Sequence, residues 1–130
     1  MQLGLFDTKN RQEKLSKLGD SLVRLNKVID WEQFRPALTV ALKKEHKGAG
    51  GCPTYDCVLM FKVLILQRIY NLSDEQTEYQ INDRISFMRF LSLGLEDRVP
   101  DAKTIWLFRD TLTKADATQK LFDGFRLIFH

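Results

Sequence analysis

A chain of 130 residues with 44% hydrophobic side chains has the size of one folded domain and enough apolar material for one sizeable core, which excludes a second independent domain. Only three prolines and seven glycines punctuate it, too few for many short strands, so the composition predicts an all-α fold, a compact multi-helix domain. The net charge of +3 is unevenly placed: residues 1–55 carry ten Lys/Arg against six Asp/Glu, a balance of +4, and residues 56–130 carry ten against eleven, a balance of −1, so the first part is the better candidate for touching a polyanion.

The N-terminus, Met1-Gln2-Leu3-Gly4-Leu5-Phe6-Asp7, has no cationic stretch followed by a long apolar run. A chain without such an export signal is expected in the cytoplasm. Leu15, Leu18, Leu22, Leu25 and Ile29 recur at spacings of three and four, one face of a helix. Gly19-Asp20 interrupts the pattern, so a short helix, a break and a core-facing helix from Ser21 to Ile29 are expected, with a weak dimer seam as the alternative. Trp31 and Phe34 add an aromatic turn. Pro36 then sits in the first turn of a helix running to about Lys44, where its missing N–H costs nothing, and Lys43 and Lys44 suit the negative end of that helix.

Residues 45–54, with three glycines and Pro53, form a flexible linker between an N-terminal helical lobe, residues 1–44, and a helical core, residues 55–130. Asp56 is expected to cap the next helix, in which Val58, Leu59, Met60, Phe61, Val63, Leu64, Ile65, Leu66 and Ile69 cover nearly every direction. A helix apolar all round must be surrounded, so this one is the central strut. Containing Lys62 and Arg68, it falls short of the roughly 20 apolar residues that cross a bilayer. Ser73-Asp74-Glu75-Gln76 is a capping box opening a polar helix from Asp74 to about Arg84. Ser86 is expected to cap a short helix carrying Phe87, Phe90 and Leu91, closed by Gly94. Asp101 caps a helix from Ala102 to Leu112, with Ile105, Phe108 and Leu112 inward and Lys103, Trp106, Asp110 and Lys114 outward. A last helix, about Ala117 to Phe129, carries Leu121, Phe122, Phe125 and Ile128 at core spacing. Ending inside an apolar helix, the chain has the look of a truncated protein, and Phe122, Phe125 and Ile128 are expected to form an exposed apolar patch.

Reactive constellations are sparse. His46, Cys52 and Cys57 match no zinc pattern, and the two cysteines are expected as free thiols. A nucleophile needs a base, and the only histidines are His46, in the linker, and His130, the last residue. Asp74, Glu75 and Glu78, and likewise Asp97 and Asp101, fall in first turns and caps, where acids stabilise helix dipoles. No phosphate-cradling glycine loop precedes a Lys-Ser/Thr. No catalytic residue and no metal ligand is therefore assigned, and binding remains. The three helices 74–84, 87–91 and 102–112 form a trihelical, helix-turn-helix-like succession in which Lys103, Thr104, Trp106 and Arg109 are placed to reach a DNA groove or its phosphates. The ten-residue connection before Asp101 is longer than a standard helix-turn-helix allows, and packing of Trp106 against another helix or domain is an equal alternative.

Three blocks carry a resemblance: Tyr55-Asp56-Cys57-Val58-Leu59-Met60-Phe61-Lys62-Val63-Leu64; Leu72-Ser73-Asp74-Glu75-Gln76-Thr77-Glu78-Tyr79-Gln80-Ile81-Asn82-Asp83-Arg84-Ile85-Ser86-Phe87-Met88-Arg89-Phe90-Leu91; and Val99-Pro100-Asp101-Ala102-Lys103-Thr104-Ile105-Trp106-Leu107-Phe108-Arg109. In that order they resemble the N-terminal domain of bacterial insertion-sequence transposases of the IS-five group, over residues 20–125. The resemblance implies a DNA-binding domain of a transposase that recognises the terminal inverted repeats of a transposable element in double-stranded DNA, with a homodimer and a catalytic domain as further partners and no membrane. It also implies that the Asp-Asp-Glu acids, and the divalent metal, magnesium, that they hold, belong to a catalytic domain beyond the point matching His130. This chain is then expected to need no cofactor and not to be an enzyme by itself. Lys43, Lys44 and Lys47 are the expected additional phosphate contacts. Where relatives read Gly-Arg-Pro-Pro-Tyr-Asp-Pro, this chain reads Gly51-Cys52-Pro53-Thr54-Tyr55-Asp56-Cys57, which fits a decaying or truncated copy and removes an arginine from the linker. The alternative is an interaction or dimerisation module with little direct DNA contact.

Overall fold

The computed structural model describes residues 21–45 and 55–129. Within them the fold is all helix, with no strand. Residues 21–28 form α1. A 3-10 turn, Trp31–Phe34, leads into α2 (Arg35–Glu45), followed by α3 (Cys57–Ile69), α4 (Asp74–Asp83), α5 (Ile85–Leu91), α6 (Ala102–Lys114) and α7 (Thr118–Phe129). The expected helix before Gly19, the break at Gly19-Asp20, and linker residues 46–54 lie outside the described residues.

α3 forms because Asp56 accepts hydrogen bonds from the Val58 and Leu59 N–H groups and because nine of its residues are buried, as a helix apolar all round requires. α2, α4, α5 and α6 all pack on it, and α2 also packs on α6. Leu22, Leu25, Ile29 and Leu38 from the N-terminal helices join the same core as Phe61, Leu66, Ile105 and Phe125.

Trp31 is the hub of that core. Its ring lies 5.6 Å from Phe90 edge-on, 6.1 Å from Phe125 stacked and 6.3 Å from both Phe34 and Phe61, while Phe61 reaches Phe122 at 5.7 Å. The indole N–H, which would be costly to bury unpaired, donates to Asn26 Oδ1 at 2.9 Å, and Asn26 Nδ2 donates in turn to the Phe90 carbonyl at 3.2 Å. One polar side chain thus ties α1, the 3-10 turn and α5 together. The expected exposed patch on the last helix is overturned for two of its three residues: Phe122 and Phe125 are buried in this cluster, because Phe61 of α3 and Trp31 of the aromatic turn supply the surfaces they need, while the side chain of Ile128 lies outside the described residues. The exposed apolar side chain in the described part of α7 is Leu127.

Three helices stop in the same way. Asn71, Ser92 and Asp116 adopt positive φ of 51°, 58° and 57° just past α3, α5 and α6. The next N–H, of Leu72, Leu93 or Ala117, reaches back five residues to the carbonyl of Gln67, Met88 or Leu112 at 2.8–3.0 Å. Each of these following residues is apolar and packs on the core, which supplies the hydrophobic closure of the motif. Two expectations for α5 are corrected. Ser86 does not cap it, since the helix already begins at Ile85 after an extended Arg84 with no side-chain cap. Nor does Gly94 close it, since Ser92 takes the left-handed position two residues earlier. Gly94 instead sits in a small turn, its N–H donating to Asp97 Oδ2 at 2.7 Å.

Candidate nucleic-acid interface

Geometry around α6 follows from what holds it. At its start the Thr104 N–H donates to Asp101 Oδ1 at 2.8 Å, the expected cap, and the Ala102 N–H donates to Glu78 Oε1 of α4 at 2.7 Å. The Thr104 hydroxyl and N–H, together with Arg98 and Lys103, hold the Asp101 carboxyl below its usual value. A bare helix N-terminus attracts phosphate, but here two carboxylates already occupy the amide groups. A polyanion approaching this end must be met by side chains.

Further along, Arg109 turns back onto α4. Its Nη1 and Nη2 donate to the two Asp74 carboxylate oxygens at 2.6 and 2.9 Å, and Nη1 also donates to Gln67 Oε1 at 2.9 Å. Gln67 Nε2 closes the ring by donating to Asp74 Oδ1 at 2.7 Å. Asp74 binds near residue 109 and Glu78 near residue 102, so α4 and α6 run antiparallel, held together at two points. Arg109 hydrogen bonds, then those from Gln67, hold the Asp74 carboxyl below the usual carboxylate range, and the pair raises Arg109 correspondingly.

The side chains singled out from sequence therefore divide. Lys103 is exposed, Trp106 is 49% exposed, and Thr104 is half-buried at the cap. Arg109 is committed within the protein. Lys43 and Lys44 are exposed in the last turn of α2, the helix that packs on α6; Lys47 lies outside the described residues. Leu107, 46% exposed beside Trp106, was not singled out, although an apolar residue between two outward positions was the available signal. The Glu78 cap joins residues 24 apart in sequence and left no local trace. Lys114 reaches Asp110 at 3.0 Å, one turn earlier, so this part of the outer face is charge-balanced.

Among the described residues no three His, Cys, Asp or Glu side chains converge on a point that a metal ion would occupy. The acids have other partners: Asp74 holds Arg109, Glu78 and Asp101 cap α6, Asp97 holds the Gly94 turn, and Asp56 caps α3 while pairing with Arg35 at 2.7 Å. Cys57 is a buried free thiol, pushed up by desolvation; His46, Cys52 and His130 lie outside the described residues. No described helix is long and apolar enough to cross a membrane.

These features define a class: a domain all helix in its described residues, in which Asp56, Asp74, Glu78 and Asp101 are spent on caps and clamps and the outward α6 face offers a lysine, an indole and a leucine. Residues 9–111 match the family described as Transposase domain (DUF772), and the chain belongs to that family. No solved structure matches it.

Proposed function

We propose that this domain is the DNA-binding part of a transposase of the IS-five group, serving transposition by recognising the element's terminal inverted repeats. The observation that carries the reading is a transposase-family chain that presents Lys103 and Trp106 together on the outer face of a helix fixed to α4 at its start and at Arg109. In this reading Lys103 and Thr104 contact phosphate or base edges, Trp106 contacts sugar or base, and Lys43, Lys44 and Lys47 neutralise further phosphates. Arg109 acts as a positioning residue, fixing α6 on α4 and leaving the duplex to its neighbours. Strand cleavage belongs to a separate catalytic domain holding the acid triad and its metal.

Fluorescence anisotropy on terminal-repeat and scrambled duplexes over a range of salt tests this. Each phosphate contact removed should flatten the log–log salt dependence by about 0.9, so Lys43→Ala/Lys44→Ala/Lys47→Ala should flatten it by up to about 2.7 on both duplexes. A base contact removed at Lys103 or Trp106 should cost about 1–3 kcal/mol on the cognate site alone. Wild-type affinity and slope in all these folded variants would overturn the reading.

A second reading rests on the adjacent exposure of Trp106 and Leu107, an apolar pair suited to a protein partner, either a second copy or the catalytic domain. Sedimentation velocity of Trp106→Glu and Leu107→Glu against wild type separates the two. A concentration-dependent dimer lost in both variants, with DNA binding unchanged, favours the interaction module.

A further inference from the structure

Lys62 lies in the middle of α3 among apolar residues and is only 8% exposed. Its Nζ stands 4.5 Å from the centroid of the Phe90 ring and 5.2 Å from that of Trp31, and none of the ion pairs among the described residues includes it. The side chain borders a cleft of about 520 Å³, apart from the α6 face, with Ile29, Val58, Leu59 and Leu91 among its walls. Charged groups on the rim are Asp30, which caps the 3-10 turn, Glu32 within it, and Asp56 from the α3 cap, while the end of α5 contributes Leu91 and the following Ser92, which do not titrate. Arg35 bridges Glu32 and Asp56 at 2.6 and 2.7 Å, so one guanidinium stands against three carboxylates and the rim stays negative.

A negative rim repels carboxylates and phosphates, apolar walls that include the Trp31 ring suit a flat uncharged body, and an amine outside any ion pair suits an electrophilic carbon. We propose that the cleft over Lys62 is a covalent binding site for small uncharged aromatic aldehydes, captured as an imine. The Nζ lone pair forms a bond to the carbonyl carbon as the C=O π pair moves to oxygen, which takes up a proton to give a carbinolamine. Loss of the hydroxyl as water, with the amine's remaining proton passing to solvent, leaves the C=N bond. No oxidant or reductant is consumed. Two effects act on the amine in opposite senses: ring faces favour the ammonium, and burial favours the neutral form, drawing Lys62 down to about 8. At pH 8 about half of such amines are neutral, against under about 1% for a lysine near the ordinary value of about 10.4.

The test is reductive trapping of the full chain with benzaldehyde and cyanoborohydride between pH 6 and 10, followed by peptide mass spectrometry. Lys62 should be labelled about tenfold or more faster than exposed Lys43, Lys103, Lys114 and Lys120 at pH 8, with a midpoint near 8, and the preference should vanish in urea. Leu59→Trp, placed on the cleft wall at a half-buried position, should slow Lys62 labelling and leave the other lysines unchanged. Labelling of Lys62 at or below the surface lysines in the native protein overturns the proposal. So does a folded Leu59→Trp variant, by circular dichroism, that labels like wild type.

Discussion

Replacing Arg109 with alanine removes three hydrogen bonds from the clamp between α4 and α6, two to Asp74 and one to Gln67, and leaves the Asp74 carboxylate short of its cation. Breaking a fully buried pair costs about 3–5 kcal/mol, and a net charged hydrogen bond contributes about 1.5–3 kcal/mol. This pair lies between buried and exposed: the Asp74 side chain is 17% accessible and Arg109 36%, so solvent screens part of the interaction. A loss of about 2 kcal/mol follows, or about 8 °C in Tm for a chain of this length. The pH dependence has a definite sign. Because Arg109 holds the folded-state Asp74 carboxyl below its unfolded value, the pair's contribution is complete above the unfolded pKa of about 3.9 and is lost as pH falls through the folded value. Urea denaturation of wild type, Arg109→Ala, Asp74→Asn and the double variant measures both quantities. The single variants should be non-additive, and the Arg109→Ala deficit should shrink from pH 7 toward pH 3. An Arg109→Ala protein within about 0.5 kcal/mol of wild type at pH 7, or a deficit that persists unchanged in acid, would refute the clamp.

Trp31→Ala should cost about 3–5 kcal/mol in chemical denaturation, since it empties the centre of four ring contacts and orphans the Asn26 bridge. Lys62→Met should raise stability below pH 8: the folded state resists protonating Lys62, the unfolded chain does not, and the gain over wild type should fade between pH 8 and about 10.4 in thermal melts across that range. Ser73→Ala and Asp101→Ala each remove a helix cap and should each cost about 1 kcal/mol, additively, because they serve different helices.

Local chemistry was legible in the sequence wherever a few adjacent residues decide the outcome. Asp56, Ser73 with Gln76, and Asp101 cap helices as their spacing dictates, and the strut is buried from Cys57 to Leu66 as its apolar pattern requires, apart from the half-buried Leu59, although Ile69 at its end is exposed. Long-range geometry was less visible. The end of α5 depends on Leu93 finding core to pack against, so a serine carries the positive φ that glycine was expected to take. Phe122 and Phe125 looked unpartnered because their ring partners, Phe61 and Trp31, lie 61 and 94 positions upstream, and no local periodicity encodes that convergence. Arg109 shows the same difficulty at the candidate site: an arginine on a polar helix resembles a DNA contact until the fold brings Asp74 and Gln67 beside it.

Division of labour along α6 connects these points. Ile105, Phe108 and Leu112 bury its inner face, Glu78 and Arg109 fix its direction against α4, and the expense of ordering the helix is met before any ligand arrives. Lys103, Trp106 and Leu107 are then presented on a surface that is already rigid, so a partner need order only their side chains. The same clamp makes Arg109 a poor choice for a direct ligand contact, since using it would require breaking a bidentate pair. Substitutions at Arg109 should therefore lower the affinity for any partner of this face in proportion to the fraction of protein unfolded, whereas those at Lys103 or Trp106 should lower it with stability intact.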